Sequence, residues 1–392
     1  MNSVPEEILL HIANFLWDPG RRREDLLSFI QCAKLFYRIG IPLLYCSVTF
    51  GDGPNIVHWL AEDSSHRHHL LQHMHHISVG EPKLWDQRCY ISPSTIVETR
   101  TFSMLSKALT TTLRITVHPK SVILKNMFLE TSFFTFASMA EPIIDLQIQS
   151  CVIDVLTMEQ SPPINARSLS ILNVFFSDPV TPNPIFLGHQ VLTLIALCRQ
   201  MQKLVFEYDL ALCQKLESQR HLMWPITLKK IQFEPLVMWG LNRAEQRIMA
   251  VATIFMINTC TSLEEFTISG YFPTKEKNLP LCHSSAKSIN VPFDFIAGLC
   301  YRGNLEKLNI LHSILNAETI SKLPRLLTLR TLAVSMVVMD APSLTGLLHV
   351  FPNLVHLTAT LDIFDTIEVR NFFSFPDGHL LMVSFLFNSR IG

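Results

Sequence analysis

Leu305-Glu306-Lys307-Leu308-Asn309-Ile310, LEKLNI, decides the fold, because its spacing of apolar residues returns along most of the chain. The same LxxLxI pattern is found as Met74-Ile77-Val79, Ile143-Leu146-Ile148, Leu169-Leu172-Val174, Met201-Leu204-Phe206 and Leu228-Ile231-Phe233. It continues as Leu263-Phe266-Ile268, Leu329-Leu332-Val334, Leu354-Leu357-Ala359 and, more weakly, Leu380-Val383-Phe385. Counted between first positions from Ile143 onward, the steps are 26, 32, 27, 35, 42, 24, 25 and 26 residues. In such a unit the last two apolar residues share one face of a short strand and the first packs below the turn that enters it. Each unit is therefore incomplete until the next one stacks on it.

Helical stretches stand ahead of many of these strands: Pro184 to Cys198, Ala244 to Asn258, Val291 to Cys300, Ala317 to Leu323 and Ser343 to Val350. Alternating helix and strand at this spacing predicts an α/β fold, a curved parallel sheet inside with helices outside. The residues between the apolar positions face the open side. That puts Lys229 and Lys230 beside Glu264 and Glu265, followed by Glu306 and Lys307, Arg330, and His356, as a row that is either a solvated face or a surface for a partner. Pro-rich pieces at Ser161 to Pro163 and Asp178 to Pro184 read as loops between repeats.

Ahead of the repeats lies Val4 to Leu44, VPEEILLHIANFLWDPGRRREDLLSFIQCAKLFYRIGIPLL. Ser3 with Glu6 forms a capping-box pair, and Pro5 suits the first turn of a helix. Ile8, Leu9, Ile12, Phe15 and Leu16 then make one apolar stripe, and Asp18-Pro19-Gly20 ends it. Asp25 is placed to cap a second helix carrying Leu26, Leu27, Phe29, Ile30, Ala33 and Phe36. Three short helices in about forty residues bury too little surface to stand alone, so this segment needs a partner or the body of the chain.

The order of its landmarks resembles an F-box: Val4-Pro5-Glu6-Glu7-Ile8, Ile12 and Leu16, Asp25-Leu26-Leu27, then Cys32 and Phe36. The repeats look like an irregular leucine-rich-repeat domain, and the combination is similar to a divergent set of fungal F-box proteins. Val4 stands where that family has Leu, and the loop from Trp17 to Glu24 is longer than in a compact F-box. The resemblance implies that Pro5, Ile8, Leu9, Ile12, Leu16, Leu26, Leu27, Ile30 and Phe36 dock onto the Skp adaptor, and through it onto a cullin. It implies a substrate-recognition subunit of a ubiquitin ligase, with the repeats holding an unidentified protein target. The alternative is a repeat scaffold with no ligase role, whose first helices only cap the stack. The expected divisions are 1–45 for the F-box, 46–140 for irregular first repeats and loops, and 141–392 for the repeat stack.

Composition agrees with a protein-binding role. Charged residues make up 17% of the chain against a usual value of about 25%, and the formal net charge of -1 gives neither nucleic acid nor an anionic membrane a reason to bind. The longest mainly apolar run, Ile248 to Ile257, is far short of a membrane span, and MNSVPEEILL has no basic start or long apolar run, so a cytoplasmic or nuclear location is expected. Nine cysteines without a CxxC pair are expected to be reduced. His66, His69, His73 and His76 would share a helical face, but Met74 to Val79 reads as a strand and no carboxylate or cysteine completes a ligand set, so no metal is expected. No phosphate loop, HExxH or GxSxG is present, so neither cofactor nor enzymatic activity is expected. Between the head and the main repeats, Asn55 is placed to cap a helix from Ile56 to Ala61, Lys83 to Arg100 reads as loop, Leu113-Ile115-Val117 and Val122 to Leu124 as irregular strands, and Phe133 to Ala140 as a short helix.

Overall fold

The computed structural model describes residues 5–16, 23–50, 70, 72–80, 119–126, 128–129, 131–139, 143–155, 158, 160–178, 181–185, 188–219, 224–235, 242–269, 279–281, 285–297, 299–301, 304–337, 341–361, 368–374 and 380–387. The expected helix 56–61, the loop 83–100, the strand 113–117 and the histidines at 66 and 69 lie outside them, as do Ser3 and Val4. The chain divides into two compact units, Met1–Met201 and Gln202–Gly392, a boundary that falls inside the expected 141–392 segment.

The first unit opens with three helices, α1 (Glu6–Leu16), α2 (Arg23–Cys32) and α3 (Lys34–Cys46). The Pro5 carbonyl accepts from the amides of Ile8 and Leu9, closing the first turn. Asp25 does not cap α2; it sits with Glu24 inside the first turn, where a carboxylate favours the helix dipole. Ala33, extended at φ -159°, makes the break between α2 and α3. A Cβ on Gly40 would overlap Ile30 Cγ2, so the absence of a side chain there is what lets α3 lie against α2.

Strands then accumulate: β1 (Ser47–Phe50), β2 (His76–Val79), β3 (Ser121–Lys125), β4 (Phe128–Leu129), α4 (Thr131–Met139), β5 (Ile143–Gln149), β6 (Val152–Asp154), β7 (Ala166–Leu172), β8 (Phe175–Asp178), β9 (Thr181–Ile185) and α5 (Gly188–Leu197). The order β1-β2-β3-β5-β7 is parallel throughout, with Val48, Ile77, Val122, Leu146 and Leu169 in one register column. A second, short sheet runs β4-β6-β8-β9. The corner between the sheets is made by Asn126, Ser150 and Asn173, which take φ of 53°, 52° and 52° after β3, β5 and β7. Asn173 Nδ2 donates to Ser150 Oγ at 2.9 Å, tying neighbouring corners together. Asn tolerates this left-handed backbone better than most residues. The expected loop 178–184 is instead mostly β9, paired antiparallel to β8.

That corner also corrects one repeat. Ala166 lies opposite Ile143, Leu169 opposite Leu146 and Ile171 opposite Ile148, so the unit is Ala166-Leu169-Ile171 and the expected Leu169-Leu172-Val174 is displaced by three residues. Asn173 turns the chain before Val174, which buries beyond the strand, while Leu172 is only half-buried. Val122 and Leu124 pair with Ile77 and Val79, so the irregular strand expected over 122–124 is β3.

The second unit contains β10 (Lys203–Tyr208), α6 (Leu210–Gln219), β11 (Lys230–Pro235), α7 (Arg243–Thr259), β12 (Glu265–Ile268), β13 (Leu279–Leu281), β14 (Ser288–Pro292), α8 (Phe293–Ala297), β15 (Leu299–Tyr301) and β16 (Lys307–Leu315). It continues with α9 (Ala317–Ile320), β17 (Thr331–Val337), α10 (Ala341–Val350), β18 (His356–Leu361), β19 (Glu368–Ser374) and β20 (Leu380–Phe387). Its sheet order, β10-β11-β12-β14-β16-β17-β18-β20-β19, is parallel until β19 turns back antiparallel on β20. Leu204, Ile231, Phe266, Ile289, Leu308, Leu332, Leu357 and Val383 form one column. The 42-residue step from Leu263 to Leu305 therefore holds a further repeat, Ala286-Ile289-Val291, and the helix expected over 291–300 shrinks to α8 between β14 and β15. The helix expected over 244–258 is α7, with Asn242 and Glu245 forming a capping box.

Burial explains why the stack holds. Phe206, Phe233 and Phe266 are wholly buried along successive strands, and Phe206 meets Phe233 edge to face at 5.4 Å between ring centres. Trp224 adds its ring at 6.3 Å from Phe206 and donates from Nε1 to Thr259 Oγ1 at 2.9 Å, so its one polar atom is satisfied. Tyr208 is buried too; its hydroxyl shares a 3.1 Å hydrogen bond with Thr253 of α7.

Candidate functional site

Two surfaces collect the residues that the sequence singles out. The first is the three-helix head. Its helices close around their own core of Leu9, Ala13, Leu26, Ile30, Ile39 and Ile41, with Leu16, Phe29 and Phe36 packed against it. Phe29 and Phe36 stack flat at 4.5 Å. Of the nine residues expected to dock a partner, Leu9, Leu26 and Ile30 are thus spent on internal packing, and Leu16 and Phe36 are half-buried. Pro5, Ile8, Ile12 and Leu27 stay exposed, the last three at 50%, 41% and 39%.

The split on α1 is a matter of helical angle. Leu9, Ala13 and Leu16 follow one line at i, i+4 and i+7; Ile8, Ile12 and Phe15 follow another, one residue earlier and so about 100° around the helix. Only the first line is covered, and what looked like a single stripe is two. Leu10, Phe15 and Tyr37 add exposed apolar area that the expected set left out. Arg38 of α3 pairs with Glu6 of α1 at 3.0 Å, both well exposed, which positions the two helices while adding little stability.

The second surface runs along the entry edge of the strands in the second unit. Backbone bonds set its rungs: the Glu264 amide donates to the Lys229 carbonyl, Lys287 to Glu264, Glu306 to Lys287 and Arg330 to Glu306. All eight expected residues fall here, on two neighbouring columns, Lys229-Glu264-Glu306-Arg330 and Lys230-Glu265-Lys307-His356. Lys287 belongs to the first column and was missed with its repeat; the backbone ladder shows it between Glu264 and Glu306. Lys229 meets Glu264 at 2.9 Å and Lys230 meets Glu265 at 2.7 Å. The hydrogen bond from Lys229 holds the Glu264 carboxyl below the ordinary glutamate range, and the Glu265 carboxylate holds Lys230 above the ordinary lysine value.

Cys198, Cys213, Cys260 and Tyr208 are buried, whereas Cys32 is exposed. Burial pushes the Cys198 thiol up to about 12 and Cys260 up to about 11, and raises Cys213 and Tyr208 as well. These are packing residues, protonated at neutral pH. Among the described residues no group of His, Cys, Asp and Glu could hold a metal ion, and His76 lies at the start of β2 as the strand reading of 74–79 requires. No helix among them is long and apolar enough to cross a membrane. No protein-family model matches the chain, and no curated protein matches it in sequence.

Proposed function

We propose that this protein is a non-catalytic substrate-recognition subunit of a ubiquitin ligase of the Skp, cullin and F-box type, with residues 1–45 as the F-box and the repeats as an irregular leucine-rich-repeat platform for a protein target. One observation carries the reading: α1 and α2 complete a core on one side and leave Ile8, Ile12 and Leu27 in water on the other. Apolar residues grouped on a small head and left in solvent are the mark of a surface finished by a partner. Catalysis then belongs to the conjugating enzyme that the cullin recruits, and this chain contributes proximity. The cytoplasm or nucleus is where such an assembly works, with neither a cofactor nor a nucleic acid involved.

The test uses the full chain and purified Skp adaptor. Ile8→Asp with Ile12→Asp is expected to abolish the complex without unfolding the head, since both positions are exposed. Adaptor binding that survives these two charges rejects the site. Failure of the unaltered chain to bind adaptor at all, with target binding intact, leaves a repeat scaffold outside the ligase.

A further inference from the structure

The charged edge of the second unit is not uniform. At Lys229-Glu264 and Lys230-Glu265 each cation has its anion within 3 Å, and the surface satisfies itself. Further along, Lys287, Lys307 and Arg330 share one anion, Glu306, and among the described residues none of these four makes an ion pair. Glu264, already held by Lys229, feels Lys287 only as a lesser influence. The rungs are nonetheless adjacent: Glu306 donates its amide to the Lys287 carbonyl at 3.0 Å, Arg330 to Glu306 at 3.0 Å and Val355 to Arg330 at 2.9 Å. His356 lies opposite Thr331, itself opposite Lys307.

Beside these charges stand two apolar residues that the fold leaves out. Leu327 is 56% exposed and Val355 41%. The Leu327 turn is tied to the next repeat, where Asn353 Nδ2 donates to the Leu327 carbonyl at 2.6 Å, two residues before Val355. Exposed apolar residues beside cations that make no ion pair among the described residues are complementary to an extended acidic segment carrying an apolar side chain: charge steers it in, and Leu327 with Val355 give it something to bury. Among the described residues the paired half carries a smaller excess: one cation, Lys203 beside Lys230, is left over there, against two left over from Lys287, Lys307 and Arg330 with Glu306.

We propose that Lys287, Lys307, Arg330 and His356 with Leu327 and Val355 form the docking site for an acidic, apolar-anchored linear segment of a partner protein. This names the class of target for the platform and rests on the reading of the repeats as a recognition surface, though not on the adaptor.

A phage-displayed library of random peptides panned on the full chain tests it, with adaptor binding followed in parallel. Enrichment of sequences with Asp or Glu flanking an apolar residue is expected. A synthetic peptide of the enriched sequence should lose roughly tenfold or more in affinity for Lys307→Glu with Arg330→Glu, the size of two lost charge contacts plus repulsion. Leu327→Ser should weaken it without changing its salt dependence, and Lys229→Glu should leave it unchanged. Circular dichroism of each variant checks that the fold is kept. Enrichment of basic or uncharged peptides, no enrichment at all, or binding indifferent to the Lys307 and Arg330 reversals overturns the proposal. Lost adaptor binding with peptide binding intact overturns only the ligase reading.

Discussion

Leu9 and Ile8 are neighbours in sequence with nearly the same side-chain volume, and the head gives them opposite tasks. Leu9 is 4% exposed and belongs to the core with Ala13, Leu26, Ile30, Ile39 and Ile41; Ile8 is 50% exposed. Cutting Leu9 to Ala removes buried methyls and leaves a cavity, at a cost of about 2–5 kcal/mol. At tenfold per 1.4 kcal/mol, that raises the opening equilibrium of the head roughly 30-fold to a few thousand-fold. Ile8→Ala loses little burial and gains a few tenths of a kcal/mol in helix propensity, so its net effect stays under about 1 kcal/mol. Native-state hydrogen exchange reads the difference locally, through the amides of α1, α2 and α3. Leu9→Ala should accelerate their exchange by that factor while β5 and β7, in the repeats, keep their protection. Adaptor binding should show the reverse order, lost with Ile8→Ala combined with Ile12→Ala. Equal losses of protection for the two single variants would refute the assignment of inner and outer faces.

Gly80 has φ of +102° and a Cβ there would overlap the Lys125 carbonyl oxygen, so Gly80→Ala should destabilise the first unit by about 2 kcal/mol or more in urea unfolding, and an unchanged midpoint would contradict the close approach of β2 to β3. With an aromatic disulfide reagent, exposed Cys32 should label quickly in the native protein, whereas Cys198 and Cys260, raised to about 12 and 11 by burial, should label only on unfolding; fast labelling of Cys198 would count against its burial at the end of α5. The Glu264 carboxyl is depressed, so its pair with Lys229 contributes above the ordinary glutamate pKa and is lost as pH falls through the lower, folded value. Carbon-detected titration should place Glu264 below a free glutamate and return it to normal in Lys229→Ala. Adaptor binding through Ile8 and Ile12 should vary little between low and moderate salt, while peptide binding at Lys307 and Arg330 should weaken steeply; equal salt dependence of the two would break the division between an apolar and a charged surface.

The repeats were legible wherever three large apolar residues mark the unit. Leu305-Leu308-Ile310, Leu329-Leu332-Val334 and Leu354-Leu357-Ala359 all stand in the register that the spacing implies. Two units escaped for the same reason: their first position is alanine, Ala166 and Ala286, both wholly buried. A small residue fills that place as well as leucine when its neighbours are large, but it leaves no hydrophobic peak to count. In the first case Leu172 and Val174 supplied a false match, because a corner residue with positive φ, Asn173, separates them from the strand and nothing in apolar spacing records a corner. The head shows the complementary limit. Periodicity placed α1 but ran the second helix on through Ala33 to Phe36, whereas the chain breaks at extended Ala33 and Phe36 belongs to α3; and when both of two adjacent lines on a helix are apolar, spacing cannot say which one the chain itself covers.

The charged edge follows from the same architecture. Parallel strands in register put equivalent positions of successive repeats about 4.8 Å apart, so any charge repeated in the consensus would face its own copy. Lys229, Glu264, Lys287, Glu306 and Arg330 avoid this by alternating in sign along the column. The neighbouring column, Lys203, Lys230, Glu265, Ser288, Lys307, Thr331 and His356, does not keep the alternation: Lys203 stands beside Lys230 at one end, and Lys307 stands between Ser288 and Thr331, close to Arg330, towards the other. Towards the far end, Lys307 and Arg330 stand next to two exposed apolar residues, Leu327 and Val355. That placement is the ground for proposing that this end of the edge serves a partner while the other satisfies most of its own charge.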